Sequence, residues 1–358
     1  MGVSRAWVLH VDLDQFVAAV EVLRRPELAG RQVVVGGRGD PTERGVVSTA
    51  SYEARERGVH SGMPLRLAAR KLPEGVFLPV DAPAYEAASA EVMATLRSLD
   101  AVVEVLGWDE AFLGAQTDDP EGLAHRAQQA VLAATHLHCS VGIGDNKVRA
   151  KIATDFGKPA GVYRLTADNW FDVMGARPTR DLWGVGSKVS GRLTALGITT
   201  VRELADAPPA GLVAEFGPKM GLWYHELGQG LGPVTVDDTP WVPRGHSRET
   251  TFQQNLTTPD QVRDAVGVLA RGVVEDTAQD GRAVVRVGLK VRYAPFVTKT
   301  LSRKLATPTR DAEAVVAAAL LLADKLEDRE VRLLGVRAEM DMPDDADLAD
   351  RTPVRGRI

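Results

Sequence analysis

Three carboxylates in this chain stand where apolar runs break off. Asp12 ends the run Trp7-Val8-Leu9-His10-Val11, and Asp109-Glu110 lie between Val102–Leu106 and Ala111-Phe112-Leu113. Acids at strand ends are ordinarily solvated turn residues. Here two such stretches share an apolar setting, which predicts that they meet in space. Oxygen-only ligands select Mg²⁺ or Mn²⁺ over zinc. Two such ions can activate an attacking hydroxyl and stabilise a leaving phosphate. Asp14 shares a strand face with Asp12 if the strand persists, and it is equally suited to capping the next helix. His10, inside the apolar run, reads as a satisfied core histidine.

Phosphate chemistry also needs cations. Tyr52 and Arg55 stand one helical turn apart and project to one side, and with Lys158 they form a candidate triphosphate clamp. In Leu182-Trp183-Gly184-Val185-Gly186-Ser187-Lys188, the two glycines predict a tight turn between short helices. Such a turn exposes backbone N–H groups to a phosphate oxygen. The segment Arg282–Arg310 holds eight Lys or Arg and no Asp or Glu. Within it Val285–Tyr293 alternates, so one face packs inward while Arg286, Lys290 and Arg292 face outward. Aromatics are sparse there, so sequence-independent phosphate contact is expected rather than base stacking.

The elements that must position these groups follow from periodicity. The opening strand is followed by an expected helix over Val20–Leu28. Gln32–Gly37 and Val46–Ala50 are expected strands, and Pro64 opens a helix through Ala69. Ala84–Leu99, Glu121–Ala134 and Lys147–Phe156 read as helices. Val102–Leu106, running directly to the acid pair, and Cys139–Ile143 read as strands. This interleaving fits an α+β core with a mixed or antiparallel sheet. Short helical segments fill Ala167–Gly232, and Pro233–Pro243 reads as a linker. Arg244–Asp341 mixes strands and helices, ahead of a charged tail, Pro343–Ile358. The Trp and Met residues read as core.

The 358 residues suffice for several domains. One cysteine, Cys139, allows no internal disulfide, and no apolar run reaches membrane-spanning length. A soluble, cytoplasmic protein is expected. The net charge of −5 speaks against a nucleic-acid partner on average, although the distribution of charge is what decides.

In combination, His10-Val11-Asp12-Leu13-Asp14-Gln15-Phe16, Ala50-Ser51-Tyr52-Glu53-Ala54-Arg55, Trp108-Asp109-Glu110-Ala111-Phe112-Leu113, Val141-Gly142-Ile143-Gly144-Asp145-Asn146-Lys147 and Lys158-Pro159-Ala160-Gly161 resemble a Y-family translesion DNA polymerase of the DinB class. The resemblance covers about residues 5–341. It implies a right-hand polymerase with a palm over 1–27 and 80–166 and small fingers over 28–79. A helical thumb over 167–232 carries a helix-hairpin-helix turn, and a linker over 233–243 leads to a C-terminal little finger over 244–341. The segment 342–358 is then a flexible tail.

The resemblance also assigns roles. Asp12, Asp109, Glu110 and the carbonyl of Leu13 would ligate two Mg²⁺ or Mn²⁺ ions, with the three acids catalytic. Phe16, Val17, Thr49, Tyr52, Arg55 and Lys158 would meet the nucleotide, and Val46, Ser48 and Gly62 the templating base. Gly184, Gly186, Lys188, Arg286, Lys290 and Arg292 would contact DNA. The implied partners are primer-template DNA and dNTPs, for a monomeric enzyme.

Three departures stand out. Val17 replaces the aromatic ring that excludes a ribose 2′-hydroxyl, so rNTPs are expected as substrates too. Gly107-Trp108 replaces the family's Ser-Ile before the acids. The tail shows no Gln-x-x-Leu-x-Leu-Phe-like peptide, so docking on a sliding clamp is not expected. A nucleotide cyclase would share the acids but leave the glycine turn and basic strand without a use. A non-catalytic DNA-binding scaffold would not need the acids.

Overall fold

The computed structural model describes residues 5–342. Strand β1 (Arg5–Leu13) gives way within two residues to helix α1 (Phe16–Arg24). The helix expected over Val20–Leu28 thus begins earlier and stops earlier. Phe16 and Val20, four apart, both enter the core, so the helical period starts as soon as the strand ends. Pro26 forces Arg25 out of the α region and closes the helix.

A small unit follows: β2 (Val33–Val35), β3 (Thr49–Ala50), α2 (Tyr52–Arg55), α3 (Leu65–Lys71) and β4 (Val76–Leu78), in sheet order β3-β2-β4. The strand expected over Val46–Ala50 shrinks to two residues, because Val46 makes only an isolated bridge to Pro64. β4, parallel to β2, is too short to show in the pattern. β2 is buried on both faces: Val33 and Val35 join the main core, while Val34 packs on Ala50, Leu65 and their neighbours.

The chain then completes the first sheet with α4 (Ala82–Arg97), β5 (Val102–Val105), β6 (Glu110–Thr117), α5 (Pro120–Thr135), β7 (Cys139–Gly144), α6 (Lys147–Gly157) and β8 (Val162–Leu165). The order is β5-β6-β1-β7-β8, antiparallel except for the parallel β7–β8 pair. The acid pair therefore does not end a strand running on from Leu106. A turn intervenes, in which the Leu106 N–H donates to the Glu110 carbonyl, and Glu110 opens β6. Alternation along β1 sends Trp7, Leu9, Val11 and Leu13 into the core with α4 and α5, and Val8 to the opposite face with Phe112 and Ala150 of α6.

Five helices make the next unit: α7 (Trp170–Met174), α8 (Ser187–Ala195), α9 (Val201–Asp206), α10 (Pro209–Phe216) and α11 (Pro218–Gly228). Val148 and Ile152 of α6 enter its core, so α6 serves both the sheet and this unit. Residues 233–243 form neither helix nor strand, yet they are tied down. The Lys147 N–H donates to the Pro233 carbonyl at 2.8 Å, and the Asp237 N–H to Glu104 Oε2 at 2.7 Å. Val236 packs against Gly114.

The last unit runs β9 (Gly245–Leu256), α12 (Pro259–Ala278), β10 (Val284–Tyr293), β11 (Val297–Thr309), α13 (Ala312–Ala323), β12 (Val331–Met340). Its antiparallel sheet has the order β11-β10-β12-β9, with both helices packed into one core against it. It touches the small unit near the front of the chain. Arg44 Nη1 donates to the Phe252 carbonyl at 2.9 Å and to Asn255 Oδ1 at 2.7 Å, and Gln253 Oε1 accepts the Arg44 N–H at 2.7 Å. The tail Pro343–Ile358, with the expectation about a clamp peptide, lies outside the described residues.

Candidate active site and nucleic-acid interface

The acids meet at the carboxyl end of β1. Antiparallel pairing sets Asp12 directly opposite Glu110, and the Leu13 N–H donates to the Asp109 carbonyl at 2.8 Å. Like charges facing each other across a sheet are destabilising unless countered. The counter-charges come from one stripe of α6 and the residue after it. Lys147, Lys151 and Thr154 recur at helical spacing along the sheet face, and Lys158, extended, stands just past the helix end. Lys147 pairs with Glu104 at 2.5 Å, Lys151 with Glu110, and Lys158 with Asp12 at 2.8 Å. Thr154 Oγ1 bonds His10 Nδ1 at 2.8 Å. The helix can lie this close because β7 carries glycine. A Cβ on Gly142 would sit 2.0 Å from the Ala150 carbonyl oxygen.

His10 is buried and satisfied, as read from sequence, but it also reaches the site, with Nε2 3.1 Å from Glu110 Oε2. Burial pushes its imidazole below the usual range. For Glu110, burial raises the carboxyl, but the bonds from His10 and Lys151 prevail and hold it down to about 2. Asp109 is exposed at the surface. The protein around it, and then the charges of Asp12 and Glu110, push its carboxyl up to about 6. A divalent cation would relieve that repulsion, and the donors are hard oxygens, so the residues fit Mg²⁺ or Mn²⁺. The ligand atoms that converge within 4.8 Å are those of His10, Asp12 and Glu110. Asp109, ahead of the ladder rather than in it, is not held in that group.

The clamp residues gather beside the acids. For Lys158, burial works against the charge, but Asp12 outweighs it and holds the ammonium above its usual range. The Tyr52 hydroxyl donates to Asp14 Oδ1 at 2.8 Å, and the Arg55 guanidinium lies 5.2 Å from the centre of the Tyr52 ring. Thr49 pairs with Val35 in β3. Phe16 is 2% exposed, with its ring in the core. Val17, next to it, is half-buried on the same core. Val46 is 52% exposed. It bridges Pro64, and the Gly62 N–H donates to the Val47 carbonyl, so Val46, Ser48 and Gly62 share one surface. Trp108, half-buried, lies 6.4 Å from Tyr85 behind the acids.

The glycine turn begins at Gly184, whose φ of +88° favours glycine and where a Cβ would meet Trp223 at 2.8 Å. Gly186 caps α8, with Ser187 and Lys188 exposed in its first turn. Trp183 is not core but 41% exposed.

The basic strand face is less purely basic than its own segment implies. Register places Arg286 beside Glu339 and Lys304, and Gly335 between Lys290 and Glu249. Arg286 pairs with Glu339 at 3.2 Å and Lys290 with Glu249 at 2.5 Å, while Arg292 donates to Thr298 Oγ1 at 2.9 Å. The acids that Arg282–Arg310 lacks thus reach this face from other strands, Glu339 from the adjacent β12 and Glu249 from β9 beyond it. Arg337, opposite Gly288, keeps the balance positive.

Family models match three parts of the chain. Residues 11–155 match the impB/mucB/samB family, 243–346 its C-terminal domain, and 180–231 a DNA polymerase-iota thumb domain. A "DNA polymerase IV 2" of Mycobacterium tuberculosis is 51% identical over 93% of this chain and 98% of its own. The chain belongs to the impB/mucB/samB family of Y-family DNA polymerases. Another relative in the family, "DNA polymerase IV" of Methanoculleus marisnigri, is 40% identical over 93% of this chain and 94% of its own. The fold matches a "Y-family DNA polymerase chimera Dbh-Dpo4(243-245)-Dbh" with a TM-score of 0.81, at 26% identity over 93% of this chain and 98% of that one. It also matches an "Insertion ternary complex of Dbh DNA polymerase" at 0.64, with 25% identity over the same shares.

The sequence reading gave no task to Lys147, Lys151 and Thr154, although their spacing was visible. It could not find Glu249 and Glu339, because register between distant strands leaves no local signal.

Proposed function

We propose that this DNA-directed DNA polymerase carries out low-fidelity translesion synthesis by two-metal nucleotidyl transfer, and that it accepts ribonucleotides. One observation carries the reading: the paired acids and the phosphate-seeking Lys158, Tyr52 and Arg55 converge at one end of β1. Two divalent ions on Asp12, Asp109 and Glu110 would supply positive charge to the attacking primer hydroxyl and the departing pyrophosphate. The Leu13 carbonyl would complete the metal set. Lys158, Tyr52 and Arg55 hold the triphosphate in line, with Thr49 beside them. His10 and Lys151 keep Glu110 ionised and oriented.

The open surface of Val46, Ser48 and Gly62 leaves space around a templating base, which tolerates damage. The turn at Gly184–Lys188 and the sheet bearing Arg286, Lys290 and Arg292 hold the duplex by its phosphates. Among the described residues no helix is long and apolar enough to cross a membrane. We assign the enzyme to the cytoplasm, as a monomer without a clamp.

Val17 stands for sugar tolerance. A small apolar side chain rejects an added hydroxyl far less well than a filled pocket does. Primer extension with Mg²⁺ or Mn²⁺, using dNTPs and rNTPs in parallel, tests both parts. Templated addition from either pool is expected. Addition from rNTPs about a thousandfold poorer than from dNTPs would remove the claim for Val17.

A further inference from the structure

Asp14 is a buried carboxylate that neither the metal site nor the phosphate contacts use. It is 5% exposed, and three separate segments donate to it. The Tyr52 hydroxyl reaches Oδ1 at 2.8 Å, the Ser140 hydroxyl reaches Oδ1 at 2.9 Å, and the Ala160 N–H reaches Oδ2 at 2.7 Å. A buried charge is tolerated only when so satisfied, and bonds to an ionised acceptor are the stronger kind.

We infer that Asp14 is a positioning residue for the incoming nucleotide, fastening Tyr52 and the loop bearing Lys158 to the catalytic strand. It thereby assembles the phosphate grip before a nucleotide arrives. This rests on the reading of Tyr52, Arg55 and Lys158 as triphosphate contacts.

The parts of that grip have no other common support of this kind. Tyr52 belongs to the small inserted unit, and Lys158 follows α6. Consecutive residues after β1 take Tyr52 by both ends: Asp14 holds its hydroxyl, and Gln15 Oε1 accepts its backbone N–H at 2.6 Å. Gln15 has a φ of 45°, a left-handed turn from strand to helix. Ala160 is also left-handed, with a φ of 51°, a costly conformation for a residue with a side chain. Its N–H, two residues beyond Lys158, is the group Asp14 accepts, while Gln128 Nε2 donates to its carbonyl at 3.0 Å, so the acid is the tie that links this loop to the catalytic strand. Ser140 of β7 donates to the same oxygen as Tyr52, a local anchor that neither Tyr52 nor the Lys158 loop shares. Arg55 lies over the Tyr52 ring, and its Nε donates to the Ala50 carbonyl at 2.8 Å, within the same small unit.

The test uses the full chain on primer-template DNA. Asp14→Asn keeps the size but puts an amide donor where an acceptor is needed. KM for the nucleotide should rise about tenfold or more, with kcat within about threefold and DNA affinity unchanged. Asp14→Ser, which removes the buried charge altogether, should give the same split, and it serves if Asp14→Asn fails to fold. Ser140→Ala takes away the anchor without touching the grip, and it should lower thermal stability while leaving KM within about twofold. A KM rise in Ser140→Ala equal to that of the Asp14 variants makes the effect one of general packing and overturns the inference. So does an Asp14 variant with an unchanged KM, given a wild type that extends primers. A wild type that extends nothing removes the proposed function instead.

Discussion

At the end of β1, acids crowd together and a single helix answers them with lysines. On the sheet of the last unit, basic side chains predominate and acids from neighbouring strands answer two of them. The first arrangement is fixed by backbone: Asp12 and Glu110 are ladder partners, and α6 is pressed onto Gly142. The second is open to water, and exposed ion pairs of that sort contribute little, roughly 0–1 kcal/mol each. The difference is instructive. Under the proposed function, metal and phosphate would compete for Lys151, Lys158 and their acids, whereas Glu249 and Glu339 would give up their basic partners to DNA at little cost.

Removing one acid should break the first arrangement completely. Asp109→Ala is expected to cut primer extension about a thousandfold or more, equivalent to several kcal/mol of lost transition-state stabilisation. Its DNA affinity should stay near wild type, because the acid is not part of the duplex grip. A variant that still extends normally would take Asp109 out of the site.

Reversing charge on the sheet should have a smaller effect of a different kind. Arg286→Glu, Lys290→Glu and Arg292→Glu together are expected to weaken DNA binding more than about tenfold at low salt and to flatten the slope of log K against log salt by about three. Binding with an unaltered slope would mean that duplex phosphates lie elsewhere.

The smallest effect sharpens the comparison. Glu249→Gln and Glu339→Gln remove the displaceable acids and should tighten DNA binding about two- to threefold. A loss of affinity instead would show that the acids orient the basic groups rather than merely occupying them.

Much of the fold was readable where a period ran long enough. The alternation in β10 exposed its inner and outer faces, and the apolar runs around Asp12 and Glu110 marked strands that meet. Short elements were not readable: β4 and the two-residue β3 depend on packing against β2, which no local pattern records. The boundary at Phe16 was hidden because its apolar neighbours continue the strand composition into the helix. Among site residues, the acids were legible from their setting. The depth of the Phe16 ring is not legible, since burial depends on which side of α1 meets the core. The role of Asp14 is not legible either, because its three donors come from distant parts of the chain. The sheet's acids were invisible for a related reason: register is a property of two strands, and sequence shows one at a time.

The tie between Asp237 and Glu104 has a consequence for reach. A free connector over residues 233–243 could span roughly 40 Å at full extension. Fastened at Pro233, Val236 and Asp237, the connector extends past that last tie by residues 238–243 alone, about 20 Å at full extension. Halving a tether's radius cuts the volume it sweeps about eightfold and raises the local concentration of what it carries in proportion. The sheet with Arg286, Lys290 and Arg292 is thus kept within arm's length of the acids, and under the proposed function it would meet a duplex from a short search.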